Sequence, residues 1–321
     1  MKLDLDIIIP CYNAKDTIFN TLSSINLQQD VEGFKVYLVN DKSDYDYKEE
    51  VEFFSKFFYI EEIILKDNLG PGGARREGIN NSSSQYIMFI DSDDILYDAL
   101  SLKNLYSSAQ GYDLCVSNFI LERDGVVVTK KNNFVWLHGK MYKREFLEKY
   151  NINFNDTKAN EDNGFNKLIT LMNPKYKILE QVTYVYKENP KSITREKDRE
   201  YKITGLEGYV YNMTWAMEEA FKRGAKDDFI PYTCGCVLVS MYYDYLCYID
   251  APNSDLIFKY CKMIMPYYKK YAKLPEKEIN RYIRLKEESL DEEHKKYDKV
   301  ITLDEFIRKV EEYDWCYNTL L

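Results

Sequence analysis

The 321-residue chain holds only two His, three Trp, eight Pro and thirteen Gly. So little Gly and Pro excludes a collagen-like or linker-dominated chain. Histidine is too scarce to serve the cysteines. Only Cys247 and Cys261 stand near Cys234-Gly235-Cys236, and no His does. The seven Cys therefore read as structural thiols rather than a zinc site. Their odd number and irregular spacing give no disulfide framework and fit a reducing cytoplasm. The opening MKLDLDIIIPCYN places two Asp before a short apolar run, with no basic stretch and no small-residue cleavage site, so it does not read as a signal peptide. The longest apolar stretch, Phe229 to Ile249, contains Pro231, Gly235 and Asp244. It falls short of the roughly 18 to 20 continuous apolar residues of a membrane span and reads as a buried helix. The expected location is cytoplasmic, at most the inner face of the membrane.

Apolar residues make up 45% of the chain and charged residues 30%, enough for a packed core and against global disorder. At about 150 residues per domain the length suggests roughly two domains. With 44 basic and 53 acidic residues the net charge is -9, which argues against nucleic acid as a partner. One stretch departs from this. Residues 256–286 carry nine Lys or Arg against two Glu, interleaved with Phe258, Tyr260, Tyr267, Tyr268, Tyr271 and Tyr282. It reads as the solvated face of a helical bundle, broken at Pro266 and Pro275. The alternative is a peripheral contact with an anionic membrane or a polyanionic acceptor.

Hydrophobic patterning changes along the chain. Leu5 to Ile9, Lys35 to Val39, Ile60 to Leu65 and Tyr86 to Ile90 read as buried strands. Lys15 to Gln29, Tyr47 to Phe57 and Gly72 to Asn81 read as the helices between them. Strands alternating with helices predict an α/β fold with a mostly parallel sheet. Asp113 to Ser117 and Glu122 to Thr129, with an Asp124-Gly125 turn, predict a small β element. Lys143 to Tyr150 and Asp162 to Met172 read as helices, and Tyr176 to Leu179 and Thr183 to Tyr186 as short strands. Beyond about residue 198 the pattern is helical. The domains expected are 1–197 and 198–321.

Four loops follow the four leading strands: Pro10-Cys11-Tyr12-Asn13, Asn40-Asp41-Lys42-Ser43, Asn68 through Arg75, and Asp91-Ser92-Asp93-Asp94. Alone, each is a turn or a helix cap. In a parallel sheet all four share the edge where ligands bind. Asp91, Asp93 and Asp94 place like charges within a few residues, a repulsion that a divalent cation relieves. Hard carboxylate oxygens suit Mn2+ or Mg2+ bridging to a phosphate. No thiolate or imidazole accompanies these acids in the string, which disfavours zinc. The glycines opening the Gly72 helix let backbone approach a ligand, and Arg75 offers positive charge beside a helix N-terminus. No Lys-Ser/Thr follows the glycines, so this is not a Walker loop.

The order of these pieces resembles the family 2 glycosyltransferases of GT-A fold over roughly residues 4 to 195. The resemblance rests on Ile7 to Asn13, Val39 to Ser43 (with Asn40 in place of the family's first acid), Asn68 to Gly78, Asp91-Ser92-Asp93, Gly139 to Leu147 and Glu161-Asp162. It implies an inverting transferase that moves a sugar from a nucleotide diphosphate, a UDP-sugar above all, to a hydroxyl of a glycan or related polymer. It assigns Pro10, Tyr12 and Asp41 to the base, with Asn13, Asn68, Gly70, Arg75, Asp91 and Ser92 also on the nucleotide. It assigns Asp93, with Asp91 and Asp94, to the metal, and Asp162 to the general base. Trp136, His138, Gly139 and Glu161 are candidates for contact with the donor or acceptor sugar, with Trp136 and His138 weighed against a packing role and Glu161 against a helix N-terminus that favours acids. The helical region is expected to help choose the acceptor or to pair with a second copy of the chain. Two other classes stay open here: nucleotidyl transfer to a sugar phosphate, which leaves Glu161-Asp162 without a role, and a catalytically inactive binding or assembly module.

Overall fold

The computed structural model describes residues 1–123, 125–157, 159–189, 199–226, 229–270, 276–289 and 301–313. The chain forms two compact units, Met1–Ser192 and Ile193–Leu321.

The first unit opens as alternation predicts: β1 (Leu5–Cys11), α1 (Ile18–Asn26), β2 (Lys35–Asn40), α2 (Lys48–Phe54), β3 (Tyr59–Ile64), α3 (Gly70–Asn81) and β4 (Tyr86–Phe89). Each helix carries the chain back across the sheet, so β1 pairs in parallel with β2 and β4, and β2 in parallel with β3. Every residue of β1 is buried, as expected of a central strand covered on both faces. α1 packs onto the sheet through Ile18, Leu22 and Ile25, all fully buried. Each such side chain contributes about 1.5–3 kcal/mol.

The second half of the unit holds β5 (Ile95–Leu96), α4 (Ser101–Ala109), β6 (Leu114–Arg123), β7 (Val126–Lys130), β8 (Lys140–Lys143), α5 (Arg144–Lys149), α6 (Glu161–Leu171) and β9 (Tyr176–Tyr186). The strand order is β3-β2-β1-β4-β8-β6-β9-β5, with β7 paired to β6. The sheet changes direction at β4, which runs antiparallel to β8. Two expectations change here. β6 continues through 118–121, because it pairs with β7 and β9 at once. Tyr176 to Tyr186 is one strand rather than two, its register shifting opposite Asn118, whose amide donates to Glu180 O at 2.6 Å. The expected hairpin turn includes Asp124, which lies outside the described residues. β5, α4 and β8 are additional elements. α4 buries Leu102, Leu105, Tyr106 and Ala109, a spacing that is helical on inspection.

The second unit is helical: α7 (Arg199–Lys222), α8 (Phe229–Cys247), α9 (Leu256–Cys261), α10 (Met265–Lys270), α11 (Glu276–Ser289) and α12 (Leu303–Glu312). No described helix is long and apolar enough to cross a membrane. α8 lies in the core of its unit, with Cys234, Val237, Leu238 and Met241 all buried. α12 begins at a capping box, Thr302 and Glu305 satisfying one another's backbone N–H groups. The basic stretch is divided among α9, α10 and α11. Phe258, Tyr260 and Ile264 point into the core, and the Tyr282 hydroxyl meets Ser240 Oγ at 2.8 Å. Tyr271 lies outside the described residues.

Candidate active site

The loops after β1, β2, β3 and β4 lie along one sheet edge and hold one another. Asp41 Oδ1 accepts from Leu69 N at 2.7 Å, and Asn68 Nδ2 donates to Asp41 O at 3.2 Å. Ser43 Oγ accepts from Asn13 N at 3.0 Å, and Asp44 N donates to Asn13 Oδ1 at 2.8 Å. Asn13 and Lys42 sit in the left-handed region at φ 51° and 60°, which lets both turns reverse tightly. Pro10 is buried at the end of β1, whereas Tyr12 is 57% exposed beyond it. Asn40 is buried, donating to Glu62 Oε1 at 2.9 Å and accepting from Ser43 N at 2.8 Å. Gly70 opens α3 at φ 75°.

The acids beyond β4 are gripped unequally. Asp94 is buried, with Oδ2 accepting from the Tyr184 hydroxyl at 2.6 Å and Oδ1 from Lys187 N at 2.8 Å. The same hydroxyl accepts from Asp91 N at 3.1 Å. Asp93 Oδ2 accepts from Asn189 Nδ2 at 2.8 Å, and Ser92 O accepts from Thr21 Oγ1 at 3.0 Å. Burial raises the Asp94 carboxyl well above the usual range, and the Asp91 and Asp93 charges add to it. Burial and the Asp91 charge raise Asp93 as well. Burial acts in the same sense on Asp91, but the Arg75 guanidinium outweighs it and holds that carboxyl low.

Because β8 runs antiparallel to β4, the residues before β8 arrive beside those after β4. His138 is thereby buried with Nε2 at 3.5 Å from Asp91 Oδ2 and 3.7 Å from Asp94 Oδ2. Its ring stacks on Tyr184 with centroids 5.0 Å apart, and its Nδ1 is buried without a hydrogen-bond partner. Burial lowers the imidazole pKa against the pull of Asp91, so the neutral ring is favoured. Zinc was disfavoured because no imidazole accompanies the acids in the string; folding brings one to them. One donor atom each from Asp91, Asp94 and His138 fall within 4.8 Å of one another. A hard, oxygen-rich set with excess buried negative charge fits a divalent cation. Trp136 packs against Phe119, His138 and Tyr186, and Gly139 turns at φ 62° where a Cβ would meet Ser117 Oγ at 2.5 Å.

Arg75 joins the strand edge to α6. It is buried in the first turns of α3, donating from NH2 to Asp91 Oδ1 at 2.5 Å and from NH1 to Glu161 Oε1 at 2.7 Å. Its Nε is buried without a partner. Burial opposes its charge, yet Asp91 and Glu161 raise its pKa overall. Glu161 is 6% exposed. Asp162 follows it in the same helical turn, its Oδ1 accepting from Asn163 N at 2.8 Å. Burial first, then the Glu161 charge, pushes the Asp162 carboxyl up to about 7. Two further groups stand close by: Lys140, fully buried with Nζ bonded to Trp136 O and pushed down to about 7 by burial, and Tyr184. Lys140 falls within the Gly139 to Leu147 motif with no role attached, and antiparallel pairing brings both groups in.

A cavity of about 710 Å3 opens beside Asp93, lined also by Thr17, Asn20, Ser23, Tyr97 and Lys187. Asp41 and Asp162 are not among its lining residues.

Residues 6–160 match Glycosyl transferase family 2. The first unit is a family 2 glycosyltransferase domain. Over 217 residues the chain is 27% identical to the uncharacterized glycosyltransferase EpsJ of Bacillus subtilis, a match covering 59% of this chain and 62% of EpsJ. The chain thus spans less than two thirds of that relative. Among solved structures, S. aureus TarS 1-349 in complex with UDP-GlcNAc superposes with a TM-score of 0.66 at 16% identity, covering 96% of this chain and 91% of that one. Mannosyltransferase PcManGT of Pyrobaculum calidifontis, in complex with GDP-Man and Mn2+, gives 0.56 at 13% identity, covering 97% and 86%. The family 2 domain therefore has the GT-A fold, with a helical region after it.

Proposed function

We propose that the chain moves a sugar from a UDP-sugar to a hydroxyl of a glycan or related polymer, with inversion at the anomeric carbon and with Mn2+ or Mg2+ bound at the acids after β4. The observation that carries this reading is the Arg75 bridge, which links Asp91 at the nucleotide edge to the helical turn bearing Asp162. Family membership, UDP-GlcNAc on TarS and Mn2+ on PcManGT support it.

In this reading Pro10, Tyr12, Asn13, Asp41, Asn68 and Gly70 seat the nucleoside, and Arg75, Asp91 and Ser92 face its ribose and phosphates. Asp93 leads the metal ligands, with Asp91 and Asp94 beside it and His138 behind. Bound there, the cation would neutralise charge developing on the departing diphosphate. Asp162 takes the proton of the acceptor hydroxyl while that oxygen attacks the anomeric carbon from the face opposite the diphosphate, whose bond to carbon breaks. A carboxylate with pKa near 7 is suited to this proton transfer. The second unit helps to choose the acceptor.

The test pairs two measurements on Asp162→Asn: calorimetric titration with UDP and Mn2+, and hydrolysis across a panel of UDP- and GDP-sugars. UDP binding is expected to persist, while turnover falls by about 10²- to 10⁴-fold. Turnover equal to wild type removes the base assignment.

A further inference from the structure

The reach of Glu161 toward Arg75 depends on a glycine. Gly72 lies in the first turn of α3, and a Cβ there would meet Glu161 Cγ at 2.7 Å and Cβ at 3.1 Å. Both contacts are closer than a side chain can sit without displacement, and the glutamate is enclosed by α3 and its own helix. Asn160, immediately before Glu161, is held at φ 59°. The chain thus enters α6 through a left-handed residue, and the next side chain is pressed onto a helix too bare to push it away. Two oppositely charged buried groups then meet, Arg75 6% and Glu161 7% exposed at the side chain. The guanidinium is held from its other side by Asp91 Oδ1 at 2.5 Å.

We propose that the Arg75–Glu161 ion pair, seated on Gly72, is a positioning device that fixes the first turn of α6, and with it Asp162, against the nucleotide edge of the sheet. Glu161 acts through Asp162 rather than by touching the sugar, and Gly72 is required for the close approach of α3 and α6. This rests on the reading of Asp162 as the base. Reacting groups lose about a hundredfold in rate for a misplacement near 1 Å. An added methyl at Gly72 must drive Glu161 Cγ back by several tenths of an ångström to regain ordinary contact, at the turn that carries Asp162.

The experiment compares Gly72→Ala and Glu161→Gln with wild type, using whichever UDP- or GDP-sugar the wild-type chain turns over. Gly72→Ala is expected to lower kcat by about a hundredfold. Glu161→Gln keeps an acceptor for Arg75 but loses the charge, and should lower kcat by about tenfold. In both, the donor KM and the calorimetric affinity for UDP with Mn2+ are expected to stay near wild type. Wild-type kcat in Gly72→Ala overturns the proposal. So does a parallel loss of kcat, UDP affinity and melting temperature in both variants, which would mean general loosening. Asp162→Asn separates the two readings: full turnover there removes the base assignment, whereas lost turnover there with a normal Gly72→Ala removes the positioning role alone.

Discussion

The Tyr184 hydroxyl lies between Asp94 and the backbone of Asp91, donating to Asp94 Oδ2 at 2.6 Å and accepting from Asp91 N at 3.1 Å. One phenol thus fixes both ends of the acidic turn after β4. Removing it leaves the buried Asp94 carboxyl one partner short, at about 1–3 kcal/mol, and frees the part-buried Asp91 amide. Tyr184→Phe is therefore expected to lower stability in urea titration by about 2 kcal/mol and to weaken UDP binding more with Mn2+ than without it.

The Asp162 carboxyl, raised to about 7 by burial and the charge of Glu161, sets a pH dependence. As a base it works only when ionised, so kcat/KM should rise about tenfold per pH unit below 7 and level off above it. The same shift works the other way on the free protein. A carboxyl raised from its ordinary value of 3.8 favours the fold while protonated. That contribution is present below pH 4 and is lost as pH climbs through 7. Thermal melts of wild type and Asp162→Asn across pH 4 to 8 should therefore diverge with the variant the more stable at pH 8. A rate profile flat from pH 5 to 8 would count against the base.

Charge at the turn after β4 predicts the response to metal. Mass action raises stability by about 2.7 kcal/mol at a ligand concentration a hundredfold above Kd. UDP with Mn2+ should give a shift of that order in thermal unfolding, and chelation should remove most of it. Asp93→Ala should abolish the metal-dependent part. An equal shift with and without metal in the wild type would exclude a metal-bound diphosphate.

Asp6 is expected to matter for folding alone. It is fully buried, accepting from Ser83 N, Ser84 N and Ser84 Oγ at 2.7, 2.5 and 2.8 Å, with Arg144 NH2 at 3.3 Å. Breaking a buried charge pair costs about 3–5 kcal/mol. Asp6→Ala should lose that much in urea titration while the folded fraction binds UDP as wild type does.

The parts of this site that could be read in the string share one property: they follow strands whose neighbours come next in the chain. Asp41, Asp91 and Arg75 belong to strand–helix–strand units, where local periodicity fixes both the element and its edge. His138, Lys140 and Tyr184 belong to β8 and β9 or the turns before them, and reach the acids only through pairing across distant residues. His138 stands out in the string as a candidate sugar contact, but nothing there places it beside the acids. Glu161 was visible as one of two acids opening a helix, but its burial on Gly72 depends on how α3 and α6 cross. α4 is hidden for another reason: its three serines and an asparagine dilute an apolar stripe that Leu102, Leu105, Tyr106 and Ala109 nonetheless complete.

Reversal of strand direction between β4 and β8 has a consequence for how such a site can diversify. The loops after β1, β2, β3 and β4 leave their strands toward the acids, whereas the segment 131–139 enters its strand from there, so it is free in length at its far end. Insertions before Trp136 would remodel the wall that brings His138 to Asp91 and Asp94 while leaving every parallel pairing intact. Variation in length can accumulate on one flank of the domain without disturbing the other.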